Sequence, residues 1–177
     1  SYSGVTDTSG LKVGFLVGQQ YNQNGTALKD RKGNPLAFTR EVALKETGPN
    51  LEVTGIRVVK YPPDFSTTKD SKDNNNASND YVFFRYADVL LMKAEALLRT
   101  GGSGGLVIVN QLRTKRGATP FLTLDLTNLL QERGRELYWE GWRRQDLIRF
   151  GKFLEPWQLK TADDPKYLVY PIPTSDL

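Results

Sequence analysis

Residues 129–151 read LLQERGRELYWEGWRRQDLIRFG. The segment contains five arginines and four acids, interspersed with four aromatic and five Leu or Ile residues. If residues 126–141 form one helix, an arc of its wheel about 60° wide is apolar and must face a core. That arc contains Leu126, Leu130, Leu137 and Gly141.

The same wheel turns charged side chains toward packed surface. Arg133 falls inside the apolar arc, and Glu136 and Glu140 fall along its edge. A buried charge without a partner costs several kcal/mol, so each of these groups requires an opposite charge. The nine residues predicted to form a structural ion network are Arg85, Asp88, Glu132, Arg133, Glu136, Glu140, Arg143, Arg144 and Asp146.

Two interpretations of these acids are open. Paired carboxyls in a cleft would suit glycoside hydrolysis, which needs one protonated and one ionised carboxyl. Arginines around the acids would lower the pKa of those acids, which is the wrong direction for a general acid. The sequence therefore favours a structural network over a catalytic site, and we predict no enzymatic activity.

Two small residues lie on the apolar side of this helix. Gly134 and Gly141 are predicted to let another backbone approach closely, at a cost of about 1 kcal/mol each relative to alanine.

Composition excludes several kinds of chemistry. The chain has 177 residues, no histidine and no cysteine, so His-based triads, thiol nucleophiles and the common zinc sites are absent. We expect no cofactor and no metal. The net charge of +4 is mild, and the basic residues between Arg99 and Arg116 are interpreted as a solvated face, not as a nucleic-acid site. No apolar run reaches the ~18 residues of a membrane span.

The pattern of the chain changes near Tyr81. Residues 1–80 combine Gly, Pro and Asn with short apolar alternations at 11–15 and 56–61, which predict short strands and turns. Residues 81–177 are predicted to be mainly helical, with an extended tail around 167–173. We expect a single domain, mainly α, over residues 1–177.

Four helices are expected in the second part. The first covers residues 82–99 and should bury Phe83, Phe84 and Tyr86 while exposing Asp88 and Glu95. The second covers about 105–116, the third begins at the N-cap Asp125, and the fourth runs from near Trp142 to Phe150. Pairs of helices joined by short turns indicate helical-hairpin packing.

Several motifs in order resemble one family. They are GIRVVKYPPD (55–64), RYADVLLMKAEALLRTGG (85–102), VNQLRTKRG (109–117), LLQERGRELYWEGWRRQDLIRFGK (129–152) and YPIP (170–173). Together they resemble the C-terminal region of the RagB/SusD family of surface glycan-binding lipoproteins.

The resemblance implies a fold and a function. The fold would be mainly α, with tetratricopeptide-like helix pairs, loop-rich segments and short strands. The function would be non-enzymatic binding of an oligosaccharide or another nutrient on the outer face of the outer membrane, and its delivery to a TonB-dependent transporter as partner. The full-length protein would be lipid-anchored, and we expect this chain to be a soluble C-terminal portion of it.

Ligand contacts do not follow from the family motifs, so candidates come from side-chain chemistry. A sugar stacks on an aromatic ring while its hydroxyls bond to polar neighbours. Tyr21 with Asn22, Phe65 beside Asp64, and Trp157 after Pro156 have that setting. The alternatives to a glycan receptor are a helical-hairpin adaptor for a protein or peptide, and a glycoside hydrolase.

Overall fold

The computed structural model describes residues 14–22, 24–61 and 80–176. The chain forms two compact units, Ser1–Asp80 and Tyr81–Leu177. Their boundary coincides with the change of sequence pattern at Tyr81, while the expectation of a single domain stays a prediction.

The first unit contains short antiparallel strand pairs. β1 (Gly14–Leu16) pairs with β4 (Arg57–Val59), with Phe15 opposite Val58. β2 (Gly18–Gln19) pairs with β3 (Ala37–Phe38). The predicted alternation at 56–61 therefore marks β4, and the described end of the alternation at 11–15 overlaps β1, with which β4 pairs. Residues 11–13 lie outside the described residues.

A buried carboxylate holds the turn between β2 and β3. Asp30 Oδ1 accepts hydrogen bonds from the backbone N–H groups of Lys32 (2.9 Å) and Asn34 (2.8 Å), and Oδ2 accepts from Asn50 Nδ2 at 2.6 Å. Burial would raise the pKa of Asp30, but these hydrogen bonds outweigh it and lower the pKa.

The second unit contains four helices, as predicted: α1 (Tyr86–Arg99), α2 (Gly105–Lys115), α3 (Leu126–Glu136) and α4 (Arg143–Arg149). α1 packs against α2 and α3, and α3 packs against α4. The core cluster consists of Ala87, Leu91, Ala94, Val109, Leu112, Leu129 and Leu137.

Helix ends follow local signals in the sequence. Asp125 caps α3 by accepting a hydrogen bond from the Asn128 N–H at 2.7 Å, as predicted. α1 ends with Gly101 at φ +72°, and the Gly102 N–H donates to the Leu97 carbonyl at 2.8 Å. Only a residue that tolerates the left-handed region allows this closure without strain.

Close backbone approach occurs at a glycine other than the two predicted. A Cβ on Gly105 would lie 3.1 Å from the Ala94 carbonyl oxygen, so this glycine allows α2 to begin against α1. Gly134 instead faces the Arg143 guanidinium, and Gly141 lies in a turn at φ +79°. The prediction for Gly134 and Gly141 was therefore wrong.

The predicted burial was also wrong for the aromatic residues at the start of α1 and for two acids of this helix. Phe83, Phe84 and Tyr86 are exposed by 71%, 68% and 76%, whereas Asp88 and Glu95 are buried. The wheel assumed that apolar residues point inward and acids outward, but these acids meet arginines of the neighbouring helices, which compensate for their burial.

Two further expectations differ from the structure. α3 ends at Glu136 instead of continuing to residue 141, because the chain turns and Trp139 adopts φ +66°. The tail contains a 3₁₀ helix, Pro165–Leu168, which takes in the first two residues of the segment expected to be extended, whereas Val169 after it is extended (φ −115°, ψ 160°). The cap of this helix is Asp164, whose carboxylate accepts from the Lys166 N–H, and this Asp-Pro start overrides the apolar alternation that follows.

A side-chain amide fixes the connection between α2 and α3. Asn110 Nδ2 donates to the Phe121 carbonyl at 2.9 Å, and the Phe121 N–H donates to Asn110 Oδ1 at 2.7 Å. The Phe121 ring lies 3.8 Å from the Arg113 guanidinium carbon.

We predict that Asn110→Ala lowers the free energy of unfolding by about 1–3 kcal/mol, because it leaves both Phe121 backbone groups without their partner. Urea denaturation checks this. Gln111→Ala, an exposed change on the same helix, is the control and should leave the midpoint unchanged. An equal decrease of the urea midpoint in both variants would contradict the role assigned to Asn110 in fixing the connection between α2 and α3.

Candidate functional site

A buried arginine joins three helices. Arg133 of α3 is 1% exposed, and its Nε lies 2.8 Å from Asp146 Oδ2 of α4. Its Nη2 lies 3.1 Å from Asp88 Oδ1 of α1. Both acids are fully buried, and the Arg133 guanidinium lies against each of them inside the fold.

Arginine and acid side chains extend this contact. Arg149 bonds Asp146 at 2.9 Å and Glu95 at 2.7 Å, and Glu95 also accepts from Arg99 at 2.8 Å. Burial would raise the pKa of Glu95, but the hydrogen bonds from Arg149 and Arg99 outweigh it and lower the pKa.

A second cluster links the start of α1 to the end of α3. Arg85 bonds Glu136 at 2.7 Å and Glu140 at 2.9 Å. Glu136 also bonds Arg116 at 2.7 Å. Burial acts to raise the pKa of Glu136, but hydrogen bonds from Arg116 and Arg85 lower it below the usual range. The two glutamates in turn raise the pKa of Arg85, even though its burial opposes this.

A third cluster surrounds Glu132. Its carboxylate bonds Arg113 of α2 and, at 2.7 Å, Arg135 of α3. Arg113 is therefore not part of the solvated face that the sequence suggested, because it is largely buried against Glu132. Arg116 does remain exposed, although it pairs with Glu136. The like-charged stripe Glu132, Glu136 and Glu140 is stable because each carboxylate meets at least one guanidinium.

Two arginines assigned to the network bond elsewhere. In the described part of the chain, neither Arg143 nor Arg144 forms an ion pair. Arg143 Nη1 donates to the Leu130 carbonyl at 2.9 Å. Arg144 Nη2 donates to the Tyr167 carbonyl at 2.7 Å, and its guanidinium lies over the Tyr170 ring at 4.3 Å. Neither forms an ion pair with the glutamate stripe, and the charge of Asp146 acts on Arg143, so the assignment of these two arginines to the network stays a prediction.

Sequence reasoning missed several members of the network: Glu95, Arg99, Arg113, Arg116 and Arg149. The signal for Glu95 and Arg99 was their i, i+4 spacing on α1. The partners on different helices had no such signal, because their pairing depends on how the helices pack.

Tyr21 and Asn22 are candidate glycan-binding residues of the first unit. Tyr21 is 42% exposed in a tight hairpin, where it bridges to Ala27. Asn22 Oδ1 already accepts the N–H groups of Asn24 (3.0 Å) and Thr26 (2.9 Å), so this oxygen serves the turn.

Trp157 and Phe65 are the other two candidate glycan-binding residues. Trp157 is 46% exposed, and the Lys160 ammonium lies 4.6 Å from its ring centroid. A sugar would therefore have to use the part of the ring that Lys160 leaves open. Phe65 lies outside the described residues.

Neither a metal site nor a membrane span is present in the parts of the chain that the structure describes. No group of three or more Asp, Glu, His or Cys side chains is arranged to hold a metal ion there. In the same residues, no helix has the length and apolar character that crossing a bilayer requires.

The fold and its charge network define a class: a mainly helical protein with helical-hairpin packing and an internally paired set of arginines and acids. Comparison with known proteins gives the family. Residues 15–176 match the SusD family, and the chain belongs to it.

Two relatives show how much of a longer protein is covered. The chain is 35% identical over 133 residues to the starch-binding protein SusD of Bacteroides thetaiotaomicron, covering 70% of this chain and 24% of that protein. It is 36% identical over 125 residues to the SusD-like protein P38 of Formosa agariphila, covering 60% and 23%. The chain thus spans about a quarter of the length of these relatives.

We predict that Asp88→Asn lowers the free energy of unfolding by about 3 kcal/mol or more, because it removes one partner of a buried charge. Urea denaturation measures the loss. Glu155→Gln, which breaks the exposed Lys152–Glu155 pair, is the matched control and should cost no more than about 1 kcal/mol. A similar decrease in the free energy of unfolding of both variants would contradict the conclusion that burial makes the Asp88 contact more important than an exposed ion pair.

The lowered pKa values of Glu95 and Glu136 predict acid sensitivity. Because the pKa of each group is lower when folded, its contribution is complete above the unfolded value of about 4.5 and is lost as pH falls through the folded value. The free energy of unfolding should therefore decrease below about pH 4.5. Urea midpoints across this range should show a shallower decrease for Glu136→Gln, and an unchanged slope would contradict the linkage.

Proposed function

We propose that this chain is the C-terminal part of a non-enzymatic glycan receptor. The observation that carries the proposal is the SusD family match over residues 15–176, together with the relative named as starch-binding. Exposure of Tyr21 and Trp157 supports it, because aromatic faces outside the core can stack on sugars.

The proposed mechanism is capture without covalent chemistry. The C–H face of a sugar ring would pack on an exposed aromatic side chain, and the hydroxyls of the sugar would bond to neighbouring polar groups. The acids that could serve as catalysts are engaged by arginines, which keep the pKa of Glu136 low and so disfavour a protonated general acid.

The whole protein would act at the cell surface. We propose that it is lipid-anchored on the outer face of the outer membrane and passes its ligand to a TonB-dependent transporter. Membership of the SusD family supports this proposal. Capture of a ligand followed by its transfer requires a binding protein that does not change the ligand chemically.

We predict that Trp157→Ala and Tyr21→Ala each weaken binding of a maltooligosaccharide to the full-length protein about tenfold. The reason is that an aromatic contact contributes about 0.5–1.5 kcal/mol beyond its buried area. Isothermal titration calorimetry measures the affinities. Leu122→Ala removes a still more exposed apolar side chain that lacks a ring, and this variant should bind like the unmodified protein.

The same samples test the alternatives. Glycan turnover that disappears in Glu136→Gln would establish a hydrolase and contradict the proposal. A full-length protein that binds no glycan but captures a peptide on the helices would favour the adaptor.

A further inference from the structure

A cavity of about 560 Å³ lies beside the turn between α3 and α4. Trp139, Trp142 and Arg143 are among its lining residues. Its volume is within the range of small-molecule sites, which combine aromatic walls with a few polar groups. Among the described residues, Tyr21, Asn22 and Trp157 do not line this cavity.

The Arg143 side chain is fixed in this cavity. Its Nη1 donates to the Leu130 carbonyl at 2.9 Å, and a Cβ on Gly134 would lie only 2.7 Å from the same nitrogen. Glycine in the middle of a helix costs about 1 kcal/mol relative to alanine. Glycine at position 134 leaves room for the Arg143 guanidinium beside α3. The helix therefore tolerates the cost of a glycine at this position.

The charge of Arg143 is only partly compensated. Partial burial lowers the pKa of its guanidinium, and the nearby carboxylate of Asp146, which also lines the cavity, acts in the opposite direction. Within the described residues no carboxylate forms an ion pair with it, and Leu130 accepts from one of its five N–H donors. The neighbouring arginines differ, since Arg133 and Arg135 are engaged by acids of the network. Arg143 is exposed, and a guanidinium with unused donors favours an anion, above all a carboxylate that it can bind with two parallel hydrogen bonds.

Trp139 supplies an aromatic surface at the same cavity. It is 68% exposed, adopts φ +66° and stacks on Tyr138 with the ring centroids 6.2 Å apart. A bulky residue rarely adopts the left-handed region, and such strain concentrates at binding sites. A large exposed ring beside a fixed guanidinium is suited to a ligand with an apolar face and an acidic group.

We propose that this cavity binds an acidic sugar, with Arg143 as the ionic partner of a uronic acid carboxylate and Trp139 as the stacking surface. The inference rests on the proposed glycan-binding function and names a ligand class for it. The net charge of +4 has the sign that suits an anionic ligand.

The test compares a uronic acid tetrasaccharide with neutral maltotetraose by calorimetry on the full-length protein. The acidic ligand should bind more tightly, and its affinity should fall as salt is added. Arg143→Gln keeps a donor for Leu130 and should weaken acidic binding about 10- to 100-fold, as expected for charge-assisted hydrogen bonds, without changing neutral binding. Arg143→Lys should restore part of the affinity, and Trp139→Ala should reduce it about tenfold.

Arg40→Gln is the control, because it removes the same charge from an exposed position in the other unit. Equal affinity for both sugars, or equal effects of Arg143→Gln and Arg40→Gln on acidic binding, would overturn the proposed acidic site. Binding of the neutral sugar in that case would leave the proposed receptor function standing. Loss of thermal stability in Arg143→Gln as large as in Asp88→Asn would also overturn it, since Arg143 would then be structural. If neither sugar binds, both proposals fail.

Discussion

The second unit depends on the contact of Arg133 with Asp88 and Asp146. These three side chains come from three different helices, and all are buried. A charge removed from water is tolerated only if its partners are correctly placed, so an incorrect packing of α1, α3 or α4 would leave at least one charge uncompensated. The contact therefore penalises alternative arrangements more than an apolar contact would, because apolar packing tolerates small shifts.

The rest of the network follows from the same constraint. Asp146 connects to Arg149, and Arg149 connects to Glu95, so α4 and α1 are joined a second time. Arg85 and Arg116 meet at Glu136, where the start of α1 and the end of α2 approach the end of α3. The helices are thus held in register at several points by guanidinium groups, whose planar donors require specific directions.

Local signals made the helix bounds predictable, while burial depended on tertiary contacts. Asp125 and Gly101 act through backbone groups within a few residues, so the sequence contains all the information for the ends they form. Asp88 and Glu95 are buried because arginines distant in sequence reach them. A wheel for one helix cannot include those arginines, and it therefore placed Phe83 and Phe84 inside instead.

The choice of which arginines form ion pairs was equally hidden in the sequence. The segment 129–151 contains five arginines of identical chemistry, but Arg133, Arg135 and Arg149 have acids as partners and Arg143 and Arg144 do not. Opposite charges in contact cancel most of each other's field at a distance, so the paired groups attract little from solution. A high density of charge is thus a poor indicator of a binding site. What matters is which donors the fold leaves unused, and that depends on the packing of α3 against α4.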